Sequence, residues 1–237
     1  MITLTAGGVR MAFTDRHAGV SLSPAEVLRL GTRAADAVRR RRRADVARGF
    51  GLSPDRVVFL RQVHGADVSH VTGPFLDTPP ALDGAWTDRA GLAIAVLVAD
   101  CAPVLLADPV AGLVGAAHAG RMGIAAGVVS ALVAAMEKGG AVPSRMTALI
   151  GPAACVLCYE VSVEIREVTA AAVPEAWGTT RRGTPGVDLR AAVAGQLSRS
   201  GVGDVRHDGR CTVESADLYS YRREGPTGDF AGYVWRA

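Results

Sequence analysis

The apolar residues of this chain occur in short runs, and the length of these runs restricts the fold more than any other feature. The two longest lie at residues 90–99, closed by Asp100, and at residues 124–136, closed by Glu137. A membrane-spanning helix needs about 20 consecutive apolar residues, so we expect neither run to cross a membrane. Apolar runs of about four to eight residues are typical of buried strands, whereas longer ones are typical of helices. The pattern predicts a mixture of both.

Strands and helices alternate along most of the sequence. Strands are predicted at residues 57–60, 93–99, 104–107, 113–118 and 148–150, with a C-terminal hairpin formed by residues 218–221 and 230–235. Helices are predicted at residues 34–48, from about residue 124, from about Ser162 and from Asp188 to Gly201, with a further helix start at Ser23-Pro24. The first residues are otherwise predicted to form loops. No repeat or linker is visible, and we expect one mixed α/β (α+β) domain over residues 1–237.

Composition and charge restrict the function. Charged residues make up 21% of the chain, and the net charge of +3 is too small to indicate a nucleic-acid partner. The five arginines at residues 39–43 are interpreted as a solvated helix face. Four cysteines in 237 residues do not indicate a disulfide scaffold. Since no signal peptide is visible either, we expect a cytoplasmic protein without nucleic-acid or membrane partners.

Three residues that can bind a metal share one position in the pattern. His64, Cys101 and His118 each stand where an apolar strand stops at glycine or proline. If these strands share a sheet, their ends can converge, and functional residues collect at such ends. Two imidazoles and a thiolate suit zinc and leave a fourth position free. On position alone, a packed or turn residue remains the alternative for each of the three.

Other polar residues are candidates for supporting roles. Asp100, Asp83 and Asp88 are candidate proton carriers, although Asp83 fits a turn equally well. The helix start near Gly123 offers free backbone N–H groups to an anion such as phosphate. The pair Cys155 and Cys158 has zinc-ligand spacing, but no second pair or histidine lies nearby in the sequence. We therefore interpret these two as buried structural thiols whose replacement leaves the metal content unchanged.

Several short motifs spread over most of the chain belong together. They are Thr14-Asp15-Arg16-His17-Ala18-Gly19-Val20-Ser21, Gln62-Val63-His64-Gly65, Ala99-Asp100-Cys101-Ala102-Pro103-Val104, Ala117-His118-Ala119-Gly120, Ile150-Gly151-Pro152, Cys158-Tyr159-Glu160-Val161, Asp188-Leu189-Arg190, Cys211-Thr212 and Ser220-Tyr221-Arg222-Arg223. With this combination the sequence resembles the laccase-domain, or polyphenol oxidase, family, whose members are also described as purine nucleoside phosphorylases with adenosine deaminase activity.

The resemblance implies a fold and a set of site residues. The fold is a single domain with β-sheets sandwiched between helices, like that of the cytotoxic necrotising factor toxins. The implied metal ligands are His64, Cys101 and His118. We further predict Cys101 and Asp100 as catalytic residues, and Arg16, Gln62, Arg121 and Arg222 as substrate-binding residues. The chain departs from the family at Arg121 and Met122, where tryptophan and arginine are usual.

Four functions follow from these residues. The leading one is zinc-dependent phosphorolysis of purine nucleosides such as adenosine and inosine, with deamination of adenosine as a second activity. Copper-dependent oxidation of phenols is an alternative, although five histidines are few for a multicopper centre. A metal-free cysteine hydrolase would use Cys101 as nucleophile and His118 or His64 as base. The fourth is a non-catalytic scaffold, which the changes at Arg121 and Met122 would suit.

Overall fold

The computed structural model describes residues 2–75 and 78–237. Within these ranges the chain forms thirteen strands: β1 (Ile2–Ala6), β2 (Val9–Phe13), β3 (Val57–Phe59), β4 (Val68–His70), β5 (Gly84–Thr87), β6 (Ala93–Val98), β7 (Ala102–Asp108), β8 (Leu113–Ala119), β9 (Thr147–Ile150), β10 (Trp177–Thr179), β11 (Pro185–Val187), β12 (Asp204–His207) and β13 (Phe230–Arg236). The same ranges contain seven α-helices: α1 (Pro24–Leu30), α2 (Thr32–Gly49), α3 (Arg121–Ala125), α4 (Val128–Lys138), α5 (Val163–Ala172), α6 (Leu189–Arg199) and α7 (Tyr221–Glu224).

Most of these strands lie in two sheets. The first has the order β1-β2-β13-β6-β3, and the second has the order β12-β9-β7-β8-β5-β4. In the first sheet β13 runs antiparallel to both β2 and β6, while β3 runs parallel to β6. In the second sheet β7 runs antiparallel to both β8 and β9. Strands β10 and β11 form a separate antiparallel pair.

The two sheets pack face to face, and helices cover their outer faces. Along β7, Leu105 points towards the first sheet and Leu106 points towards the helices, as the two-residue period of a strand requires. Helices α4 and α6 cover the second sheet, whereas Phe50, at the end of α2, packs on Tyr233 and Trp235 of the first. The mixed α/β fold with sheets between helices is therefore confirmed.

Several local predictions are confirmed and others are wrong. Strands β3, β6, β7, β8 and β9 lie where the apolar runs place them, and Ser23, Ser162 and Asp188 cap α1, α5 and α6.

The predicted C-terminal hairpin is wrong, because residues 221–224 form α7 and β13 pairs with β2 and β6. The N-terminal residues form the β1–β2 hairpin instead of loops. The helix expected from about residue 124 is two helices, since Gly127 has a φ of 87°.

The arginine run on α2 is only partly a solvated face. Arg40 and Arg41 are exposed, but Arg42 pairs with Glu26 and Arg39 pairs with Asp36. The guanidinium of Arg43 lies 4.0 Å from the centre of the Phe59 ring and donates to a backbone carbonyl. The long arginine side chains thus pack along the apolar surface beneath the helix. In the described part of the chain, no helix is both long and apolar enough to cross a membrane.

Candidate metal centre

Four strands from the two sheets bring His64, Cys101 and His118 together. His64 follows β3 of the first sheet, Cys101 connects β6 of that sheet to β7 of the second, and His118 lies in β8. The register of β7 and β8 pairs Pro103 with His118, so Cys101 is next to that histidine. One donor atom from each of the three lies within 4.8 Å of the others. The convergence is at the junction of the two sheets rather than at the edge of one shared sheet.

The backbone is strained at two points of this junction. Among the described residues, His64 (φ 62°) and Asp100 (φ 91°) are the non-glycine residues with a positive φ. Such conformations cost of order 1–3 kcal/mol each and persist only where surrounding contacts impose them. For His64 the contacts come from Asp83, whose carboxylate accepts the backbone N–H groups of Val63, His64 and Gly65 at 2.7–3.1 Å.

Asp83 also orients the second histidine. Its Oδ1 lies 2.8 Å from Nδ1 of His118, and the Asp83 side chain is fully buried. This hydrogen bond assigns the Nδ1 proton and leaves Nε2 of His118 to face Cys101 and His64, as carboxylate partners do for metal-binding histidines. Asp83, a candidate proton carrier or turn residue by sequence, therefore positions the ring of one candidate ligand and the backbone of another.

The charges of the cluster favour a thiolate. Burial alone would raise the pKa of the Cys101 thiol, but hydrogen bonding to His118 and His64 lowers it to about 7. Burial would lower the pKa of His118, but the hydrogen bonds to Asp83 and Cys101 raise it to about 9. Burial would likewise raise the pKa of Asp83, and its hydrogen bonds to His118 and the backbone lower it. Cys101 is thus prepared to act as a ligand or a nucleophile.

The donor set and the surrounding space fit a metal ion. Imidazole nitrogen and thiolate sulfur are the donors that zinc prefers in proteins, and they also accept copper. Gly120 closes one side of the cluster, because a Cβ there would lie 2.8 Å from Cδ2 of His64 and 2.9 Å from Sγ of Cys101. His17, His70 and His207 lie elsewhere: His70 stacks on Trp86 and contacts Asp88 at 3.1 Å. Asp88, a predicted proton carrier, is thereby placed outside the cluster.

The cluster opens into a cavity of about 620 Å³. This volume is within the usual range for small-molecule sites. The walls combine apolar, aromatic and charged side chains. Its lining consists of Leu60, Gln62, His64, Leu97, Val98, Ala99, Asp100, Cys101, His118, Tyr159, Leu189, Tyr221, Arg222, Thr227 and Asp229. Of the predicted site residues outside the metal triad, the structure therefore brings Gln62, Asp100 and Arg222 to the cavity.

Two of these residues already have strong internal partners. The side-chain amide of Gln62 both donates to and accepts from the backbone of Leu97, at 2.7 and 2.8 Å. Asp100 accepts the hydroxyl of Thr212 at 2.5 Å and the backbone N–H of Arg222 at 2.6 Å. Gln62 thus fixes the wall of the cavity, and Asp100 fixes the start of α7 with Arg222 on it.

The predicted substrate-binding arginines differ in position. Arg222 lines the cavity, with its guanidinium 5.1 Å from the centre of the Tyr159 ring. Arg121 lies beside the same tyrosine: burial raises the pKa of Tyr159, and the charges of Arg121 and Arg222 partly offset this rise. Arg16 is not among the cavity residues, because it forms a two-point ion pair with Glu224 and lies over Tyr219.

Sequence reasoning missed several cavity residues. Tyr159 and Tyr221 lie inside motifs of the family, but only their convergence in space identifies them as cavity residues. No sequence signal pointed to Asp229. Burial raises the pKa of this carboxyl group, although Ser21 donates a hydrogen bond to it at 2.9 Å. A carboxyl group with a raised pKa in a cavity is a candidate proton carrier.

The predicted anion site at the helix start near Gly123 is not supported. Helix α3 begins at Arg121 and contains five residues, so Gly123 is inside it and is buried. A Cβ at Gly123 would lie 2.8 Å from the carbonyl oxygen of Gly65, which leaves no room for an anion there.

Comparisons with known proteins place the chain in a family. Residues 10–237 match the family described as multi-copper polyphenol oxidoreductase laccase. A protein of Streptomyces griseus named purine nucleoside phosphorylase ORF3 is 54% identical over 233 residues, covering 97% of this chain and 95% of the relative. A purine nucleoside phosphorylase of Streptomyces coelicolor is 51% identical over 98% of this chain and 97% of the relative.

Solved structures agree with this assignment. YlmD from Geobacillus stearothermophilus superposes with a TM-score of 0.83 at 31% identity, covering 97% of this chain and 92% of that chain. The hypothetical protein YfiH from Bacillus licheniformis gives a TM-score of 0.84 at 27% identity, covering 97% and 93%. Because sequence and fold agree over nearly the whole chain, this protein belongs to the family described as multi-copper polyphenol oxidoreductase laccase.

Proposed function

We propose that this chain is a zinc-dependent purine nucleoside phosphorylase that acts on adenosine and inosine and also deaminates adenosine. The observation that carries the proposal is the thiolate–imidazole cluster of His64, Cys101 and His118 at the base of a cavity of about 620 Å³. The names of the relatives from the two Streptomyces species support the class of reaction.

In this proposal His64, Cys101 and His118 hold the zinc. When bound, zinc supplies a Lewis acid that stabilises negative charge developing in the cavity. Asp83 keeps the ring of His118 and the backbone of His64 in place, and the buried carboxylate prevents either from turning away from the cluster.

Arg222 and Arg121 are proposed to bind phosphate near Tyr159. An arginine guanidinium pairs with phosphate oxygens through two parallel hydrogen bonds, and both side chains lie around this tyrosine. Asp100 holds the start of α7 through the backbone N–H of Arg222, so it acts as a positioning residue for that arginine. Arg121 in this way supplies charge where the family usually has arginine one position later.

The nucleoside is proposed to lie between the aromatic wall and Asp229. The rings of Tyr159 and Tyr221 offer flat surfaces to a purine. A phosphate oxygen forms a bond to the anomeric carbon of the ribose, and the bond to the purine nitrogen breaks with its electron pair leaving on the purine. Asp229, whose pKa is raised by burial, is proposed to donate a proton to that purine.

Product analysis tests this proposal. Adenosine and inosine are incubated with zinc-loaded protein with and without phosphate, and the products are separated by chromatography. Free base and ribose 1-phosphate that form only with phosphate support phosphorolysis, and inosine from adenosine without phosphate supports deamination. If zinc-loaded protein forms neither product, the proposal is wrong and a scaffold function takes its place.

One observation favours a second candidate, a metal-free cysteine hydrolase. The pKa is about 7 for Cys101 and about 9 for His118, and these values favour a thiolate–imidazolium pair. Such a pair is the ground state of many cysteine nucleophiles. Removal of metal with a chelator separates the candidates. Activity that survives complete removal favours the hydrolase, whereas activity that returns with zinc favours the phosphorylase. Activity that returns with copper, together with oxidation of a phenol, would favour the polyphenol oxidase hypothesis.

A further inference from the structure

A second cluster of metal-binding side chains lies outside the candidate metal centre. Cys155, Cys158, Cys211 and Glu214 each place one ligand atom within 4.8 Å of the others. The sulfur atoms around a tetrahedral zinc are separated by about 3.8 Å, given zinc–sulfur bonds of about 2.3 Å. Only small side-chain adjustments therefore separate the observed arrangement from a four-ligand zinc site.

Two similar backbone turns supply the four donors. In the first, the N–H groups of Cys158 and Tyr159 both donate to the carbonyl of Cys155 at 2.9 Å. In the second, the N–H groups of Glu214 and Ser215 donate to the carbonyl of Cys211 at 3.2 and 2.9 Å. Each turn thus presents two donors three residues apart on the same side. Paired turns of this spacing are the usual construction of structural zinc sites.

Backbone contacts hold the two turns against each other. Ala153 and Cys211 form an isolated parallel bridge, in which Thr212 donates to the Ala153 carbonyl at 3.2 Å. The N–H of Cys155 lies 3.4 Å from Sγ of Cys211 and points at it. N–H groups directed at sulfur stabilise thiolate ligands, because they disperse the negative charge.

A cation already compensates part of the charge of the cluster. Arg181 pairs with Glu214 and its Nη2 lies 3.3 Å from Sγ of Cys158. Three thiolates and a carboxylate around one zinc ion would leave a net charge of about −2. A neighbouring arginine partly neutralises this negative charge. Arg181 therefore offsets part of the negative charge that the cluster would carry once a metal has displaced the thiol protons.

We propose that Cys155, Cys158, Cys211 and Glu214 bind a structural zinc ion. The ion joins the loop after β9 to the turn after β12, and both segments contact Asp100 beside the candidate metal centre. Ala154 donates to the carbonyl of Asp100 at 2.9 Å, and Thr212 donates to its carboxylate. This site replaces the interpretation of Cys155 and Cys158 as metal-free thiols, because that interpretation took no account of Cys211 and Glu214. It does not rest on the proposed function.

Zinc content tests the proposal without any assay of activity. The purified full chain is reduced, loaded with zinc, dialysed and analysed for metal. We expect about two zinc ions per chain in the wild type, given the three-ligand and four-ligand sets, and about one in Cys155→Ser/Cys158→Ser. Glu214→Gln should weaken zinc binding by the cysteine cluster. The matched variant Glu160→Gln, which changes a half-buried glutamate paired with Arg182, should retain both ions.

Cadmium NMR of the wild type covers the case in which the cysteine variant does not fold. Cadmium-113 bound by three thiolates resonates far from cadmium bound by one thiolate and two imidazoles, so two separate signals are expected. Cys101→Ala should remove only the signal of the site formed by His64, Cys101 and His118. A single signal in the wild type would overturn the proposal. So would equal zinc contents in the wild type and a folded Cys155→Ser/Cys158→Ser variant, or a disulfide among the three cysteines found by mass spectrometry of freshly purified protein.

Discussion

The Oδ1 atom of Asp83 lies 2.8 Å from Nδ1 of His118, and the same carboxylate accepts the backbone N–H groups of Val63, His64 and Gly65. One buried side chain therefore connects the first sheet to the second at the candidate metal centre. It fixes the ring of one candidate ligand and the strained backbone of another, so it influences metal binding without contacting the metal position itself.

Replacing Asp83 with asparagine is expected to weaken zinc binding. The amide cannot hold the imidazole as strongly, and loss of such a partner typically lowers metal affinity by about 10- to 100-fold. Zinc affinity is measured by competition with a coloured chelator. Asp88→Asn, which changes a carboxylate that contacts His70 outside the cluster, is the matched control and should not change it. Equal affinities in the two variants would show that Asp83 has no positioning role.

Gly120→Ala is expected to remove zinc from the candidate centre while the fold is retained. The new Cβ would lie 2.8 Å from His64 and 2.9 Å from Cys101, and real Cβ contacts are not this short. Metal content and melting temperature are measured for each variant. Gly73→Ala is the control, because a Cβ at that position has no neighbour within 4 Å. If Gly120→Ala binds zinc as the wild type does, the cluster does not close around a metal at this point.

Arg222→Ala is expected to raise the KM for phosphate. Loss of a charged hydrogen bond costs about 1.5–3 kcal/mol, which corresponds to about 10- to 100-fold in affinity. Initial rates at varied phosphate and saturating inosine give the KM. Arg206→Ala removes an arginine paired with Asp204 on β12, and its KM should be that of the wild type. A phosphate KM that does not change in Arg222→Ala would exclude this residue from the phosphate site.

Asp108 is expected to make stability depend on pH. Burial would raise the pKa of this carboxyl group, but the N–H of Val142 and the Arg145 guanidinium, at 2.8 and 2.9 Å, lower it. A carboxyl group with a lowered folded-state pKa stabilises the protein above its unfolded pKa of about 3.9, and the benefit disappears as the pH falls through the folded value.

Asp108→Asn should therefore lose about 1–3 kcal/mol of unfolding free energy at pH 7, and this loss should shrink as the pH falls below about 3.9. Urea unfolding at several pH values measures the difference between the wild type and this variant. Asp45→Asn, which alters an exposed pair with Arg48, should have little effect at any pH. A difference for Asp108→Asn that is constant over this range would contradict the role of its charge.

The sequence predicts which segments form strands better than it predicts which strands pair. The apolar runs that become β6, β7 and β8 are buried on both faces, and such runs are visible without a structure. The partners of β13 are β2 and β6, which are remote in the chain, and no local pattern encodes that choice. The predicted C-terminal hairpin is wrong for this reason.

The candidate site shows the same limit. His64, Cys101 and His118 can be proposed from their strand-end positions and the family motifs, but the second cluster depends on Cys211 lying beside Cys155 across the Ala153 bridge. Sequence spacing reveals only the two halves of that cluster. Likewise the sequence alone leaves Asp83 as a proton carrier or a turn residue, and only its contact with His118 shows its positioning role.

We propose that zinc bound by His64, Cys101 and His118 is required for nucleoside phosphorolysis. The most direct measurement determines zinc content and the rate of phosphate-dependent inosine cleavage on the same preparations of the wild type, Cys101→Ala and Arg206→Ala. We predict that Cys101→Ala loses about one zinc ion per chain and nearly all activity, while Arg206→Ala keeps both. If folded Cys101→Ala retains its full zinc content and cleaves inosine at the wild-type rate, the requirement for zinc at this site is contradicted.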